Sequence, residues 1–150
     1  MAENIFQSIE IALEQLETAL RLYEHDREYF SVITLASAAE DILRKQCEAK
    51  NIETSLAAFQ AGAIKLYRNM YPDEIIDEDK LEKEIANCVN HARNKAKHIN
   101  PSVEPTFTVD AQEEARDILN RAIDNYWASE QNLTPAMAAF WHRQRKNGSI

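Results

Sequence analysis

Apolar residues recur at helical spacing along most of the chain. Over residues 4–24, Ile5, Ile9, Ala12, Leu13, Leu16, Ala19, Leu20 and Tyr23 form one stripe of a first helix. Asp26 is a fair N-cap for a second helix over 27–50. Its apolar face runs Phe30, Ile33, Ala36, Ala39 and Leu43, widened by Val32 and Ile42. A third helix starts at Thr54 or Ser55, buries Leu56, Phe59, Ala63, Ile64 and Tyr67, and is closed by Pro72. The acidic run from Asp73 to Lys80 suits the positive end of a fourth helix dipole. In that helix Leu81, Ile85, Cys88, Val89, Ala92 and Ala96 continue to about His98.

Residues 100–109 hold two prolines and β-branched residues, which predicts an extended loop. Asp110 with Glu113 reads as a capping-box-like start of a fifth helix. Ala115, Ile118, Leu119, Ala122, Ile123, Tyr126 and Trp127 form its core face. Thr134-Pro135, a cap followed by proline at the first helical position, opens a sixth helix over 136–144, and a polar tail follows. The fold class expected is all-α: an antiparallel helical bundle of four main helices with accessory helices.

Composition narrows this further. Two glycines and four prolines in 150 residues are too few for a sandwich or barrel with many tight turns. The length suits one domain over residues 1–150, with residues 140–150 as a basic C-terminal tail. Cys47 and Cys88 fall on apolar stripes and read as buried free thiols of a reducing, cytoplasmic setting. A bridge between them is an open alternative. The acidic, amphipathic start lacks the pattern of a signal peptide, and no apolar run is long enough to span a membrane. No metal or cofactor motif is present, and no cofactor is expected.

The net charge of −8 argues against indiscriminate nucleic-acid binding, but the charge is unevenly placed. Between Glu84 and Glu104 there is no acid, while His91, Arg93, Lys95, Lys97 and His98 lie there. After Glu130 acids are again absent, and His142, Arg143, Arg145 and Lys146 follow.

The first island carries the candidate chemistry. Arg93, Asn94 and His98 give Arg-Asn-x-x-x-His at the end of the fourth helix, before a loop. This resembles the Arg-x4–6-His signature of the HEPN superfamily of small helical bundles. The resemblance implies a HEPN-like fold and a metal-independent endoribonuclease, in many members a toxin or phage-defence effector; other members are catalytically silent. It also implies a homodimer with one cleft across the two-fold axis, and a nucleotidyltransferase-type antitoxin as partner.

The residue types fit RNA cleavage. Histidine titrates near neutrality, so His98 can take the 2′-hydroxyl proton or protonate the leaving oxygen. The planar guanidinium of Arg93 can grip phosphate oxygens as negative charge grows. Asn94, four residues before His98, shares its helix face and can orient the imidazole. Lys95 and Lys97 would attract the RNA backbone without reading sequence. Five residues of ideal helix rotate by about 140°, so Arg93 and His98 do not share a face. Either the helix frays at Lys97–Asn100 or two copies combine their motifs. His25 and His91 read as structural or exposed, and Glu40-Asp41 as a solvent edge of the second helix or a polar support for Arg93. The alternative function is a non-catalytic helical dimerisation or adaptor module that binds a protein partner.

Overall fold

Side-chain caps open four of the helices, three of them, at Thr54, Asp110 and Thr134, where the sequence leads one to expect them. In a computed structural model that describes residues 3–148, the elements are α1 (Ser8–Arg21), a π-helical turn (Leu22–Asp26), α2 (Tyr29–Ala49), α3 (Ser55–Met70), α4 (Glu78–Val89), α5 (His91–His98), α6 (Ala111–Glu130) and α7 (Pro135–Asn147). Helix accounts for 75% of the described residues, and no strand occurs among them. Thr54, Asp77, Asp110 and Thr134 each accept a backbone N–H of the first turn behind them, satisfying a donor that the helix itself leaves open.

The core comes from α1, α2, α6 and α7. Leu16 and Leu20 of α1 meet Ile33 and Leu43 of α2, Leu119 and Ile123 of α6, and Met137 and Phe140 of α7 in one buried cluster. Small residues (Ala12, Ala19, Ala36, Ala39, Ala115, Ala122) line the same cluster. They allow close approach of the helix axes, whose separation follows side-chain size.

The helix directions depart from the antiparallel order expected. Glu40 of α2 meets Asn125 of α6, and farther along Gln46 meets Ser129, so these two helices run parallel. Tyr23 against Phe140 and Arg143 on Glu24 follow Thr134 on Glu17, so α1 and α7 also run parallel. The short connections α1–α2, α3–α4 and α6–α7 turn back directly. Residues 50–110 travel from the end of α2 back to the end where it began, carrying α3, α4, α5 and an extended loop.

Several local expectations are corrected. Helix α1 starts at Ser8, leaving Ile5 exposed, and ends in the π turn, which Arg27 closes in the left-handed region. Asp26 ends that turn, and Glu28 stands at the α2 N-cap. The fourth helix is broken at Asn90 into α4 and α5. Cys88 is exposed, so only Cys47 is buried, and both are free thiols. Phe59 and Trp127 are exposed. Helix α7 extends through Asn147 and buries Phe140, so residues 140–147 are not a tail.

Candidate functional site

Helix α5 is short because both ends are punctuated. Asn90 leaves the helical region at φ −98°, ψ 5°, and its Oδ1 accepts a hydrogen bond from Arg121 Nη2 at 2.9 Å. At the other end Ile99 turns extended, and Asn100 Oδ1 accepts the Ser102 N–H across Pro101. The helix therefore stays intact through His98 and does not fray at Lys97. Lys95, Lys97 and His98 occupy its last turn, where the dipole favours cations.

Arg93 points into the protein, with only 14% of its side chain exposed. Its Nη1 donates to Glu40 Oε2 at 3.1 Å, and its Nη2 pairs with the Asp41 carboxylate. Glu40 is 1% exposed, which overturns its reading as a solvent edge. Asn125 Nδ2 donates to the other oxygen of Glu40 at 3.3 Å, and Asn125 Oδ1 accepts the Ser55 N–H at 2.8 Å. The Asn125 carbonyl accepts from the Cys47 thiol at 3.4 Å. A buried carboxylate loses much hydration, and this one recovers it through partners on α5 and α6. Burial pushes the Asp41 carboxyl up, but the hydrogen bond and charge of Arg93, with Lys97 and Arg44 adding, hold it below the usual carboxylate range.

Arg93 separates two recesses. On one side lies a polar cleft of about 330 Å³ between α2, the start of α3 and α5, lined among others by Asp41, Arg44, Gln60, Asn90 and Asn94. On the other lies a cavity of about 80 Å³ bounded by Ile33, Cys88, Glu114, Asp117 and Arg121. Burial lowers the Arg121 pKa, partly offset by the charge of Glu40, and its Nη1 has no hydrogen-bond partner among the described residues. Burial raises the carboxyl pKa of both Glu114 and Asp117.

The candidate residues are thus divided rather than gathered. Arg93 lies within, Asn94 at the edge of the larger cleft, and Lys97 and His98 on the exposed end of α5. Lys95 pairs with Glu104 of the following loop. In the second basic island Arg143 pairs with Glu24, and the Arg145 guanidinium stacks 4.1 Å over the Trp141 ring. Much of the positive charge apparent in the sequence is therefore internally paired.

Three residues of this network were not singled out by the motif: Glu40, Asn125 and Arg121. Glu40 had a signal, since Ala36, Ala39 and Leu43 place position 40 on the buried arc of α2. Among the described residues no three His, Cys, Asp or Glu side chains converge as metal ligands would, and no helix is long and apolar enough to cross a membrane. Comparison of the chain with family models, curated proteins and solved structures gives no match.

Proposed function

We propose that the protein is a HEPN-like, metal-independent endoribonuclease whose site is completed by a second copy of the chain. The observation that carries this reading is the clamp on Arg93. Glu40 and Asp41 fix the guanidinium five residues before an exposed histidine at a helix end. Two of the five N–H donors are used, and the remaining three suit phosphate oxygens. A held arginine needs no reorganisation as the non-bridging oxygens of the pentacoordinate phosphorus gain negative charge. His98 takes the 2′-hydroxyl proton as that oxygen bonds to phosphorus. The bond to the 5′-oxygen breaks, and the leaving oxygen takes a proton from the imidazolium or water. Asn94 orients the ring, and Lys97 draws the backbone in. Because α5 is helical through His98, one copy cannot bring both groups to one phosphate, and a two-fold partner supplies the missing half. Action as a toxin or phage-defence effector under a nucleotidyltransferase-type antitoxin rests on the resemblance of the motif alone.

The test is cleavage of single-stranded RNA in excess EDTA, leaving a 2′,3′-cyclic phosphate and sparing DNA. His98→Ala is expected to lower the rate by about 10²–10⁴-fold. No cleavage by the folded wild type, or equal cleavage by His98→Ala, contradicts the proposal.

The internal pairing of Arg93, Lys95 and Arg143 favours a second reading, a non-catalytic adaptor. There Arg93 only ties α5 to α2, and the wild type leaves RNA intact.

A further inference from the structure

The helical hairpin of α3 and α4 has a packing deficit. Its two helices span 28 positions between them, yet Ile64 is the one buried side chain. On α3, Phe59, Leu66 and Met70 are 57%, 60% and 61% exposed. Positions 59, 62, 63, 66 and 70 lie on one stripe about 100° wide, turned away from the side that carries Ile64. Gly62 sits mid-stripe. A Cβ there would meet nothing within 4 Å, so no contact within the chain requires a glycine that costs the helix about 1 kcal/mol.

We infer that this stripe is the two-fold interface between two copies of the chain, α3 crossing α3 of the partner in antiparallel sense at Gly62 and Ala63. A two-fold axis between these positions sets each Phe59 against the other copy's Leu66. The smallest residues then fall at the crossing, where the axes come nearest. Charge points to the same occupant. Each copy carries −8, so self-association must avoid stacking carboxylates, and no acid occurs from Ser55 to Met70. The exposed side chains of Phe59, Leu66 and Met70 supply on the order of 350 Å² of apolar surface per copy, the centre of an interface whose rim is polar.

This interface stands independently of the ribonuclease reading: the stripe faces away from the side of α3 whose Ala57 and Gln60 line the Arg93 cleft, so a site shared between copies would need a different contact. The test is light scattering of the full chain at tens of micromolar, with Leu66→Glu and Phe59→Glu beside it. Wild type is expected at twice the chain mass of 17.2 kDa, and both variants at the single mass with unchanged helical circular dichroism. In a Cys88→Ser background, Ala63→Cys is expected to form a disulfide-linked dimer on mild oxidation, and Ile5→Cys is not. A monomeric wild type, or charged variants that remain dimeric, overturns the interface. An RNA-inactive dimer dispersed by Leu66→Glu removes the ribonuclease reading and leaves the interface standing. RNA cleavage by a dimer indifferent to Leu66→Glu does the reverse.

Discussion

Arg93 of α5 and Glu40 of α2, 53 positions apart, meet at 3.1 Å with Glu40 almost wholly buried. The pair joins the short helix that carries the candidate motif to the parallel α2–α6 pair at the centre of the fold. Asn125 stands on the far side of Glu40 and reaches the start of α3 through the Ser55 N–H. One carboxylate thus fixes the relation of four helices.

Removing that carboxylate should be costly. Glu40→Ala leaves a largely buried guanidinium short of a partner and an amide donor unmet, and breaking a buried pair typically costs about 3–5 kcal/mol. Glu40→Gln keeps an acceptor oxygen for one of the two donors and is expected to lose less. Urea unfolding of the two variants checks the order, and equal small losses would show that the pair carries no structural role.

Asp41 contributes stability with a definite sign. Its folded pKa lies below the ordinary 3.8, so its contribution is present above that value and is lost as pH falls through the folded value. Asp41→Asn should therefore be less stable than wild type at neutral pH, with the gap closing in acid. Glu114 has the opposite sign, since its folded pKa lies above 4.5 and ionisation costs the folded state. Glu114→Gln should raise the melting temperature at neutral pH, and the gain should vanish below pH 4.5. Melting curves across pH separate the two effects.

Arg27 closes the π turn at φ 54°, a conformation that costs a side-chain-bearing residue about 1–2 kcal/mol. Arg27→Gly is expected to recover up to about 1 kcal/mol, since glycine also stabilises the unfolded chain through its entropy. A loss of stability on chemical denaturation would show that the Arg27 side chain outweighs the strain.

Caps and core were legible in the sequence to the extent that they are local. Thr54, Asp110 and Thr134 announce their helices because the cap and its donor lie three residues apart. The apolar arcs of α1, α2 and α6 follow from the helical period. What failed depends on distant partners. Phe59 fits an amphipathic pattern as well as any core residue, but the fold brings nothing over it. The break at Asn90 is anchored by Arg121, 31 positions away. The parallel order of α2 and α6 depends on where the excursion over residues 50–110 returns, which periodicity does not encode. Of the candidate site, the residue types and the end of α5 could be read. Support of Arg93 by Glu40 and Asp41 is one of two readings the sequence allows, whereas the pairing of Lys95 with Glu104 could not be read.

The sharpest measurement of the composite ribonuclease site is complementation between two inactive variants. Arg93→Lys loses the bidentate grip on phosphate, and His98→Ala loses the proton-transfer group. After unfolding and refolding together in equal amounts, half of the dimers are mixed, and each mixed dimer holds one site with both native groups. Cleavage of single-stranded RNA in EDTA should return to about one quarter of the wild-type rate. A mixture as inactive as its two components, beside an active wild type, contradicts a site shared between copies.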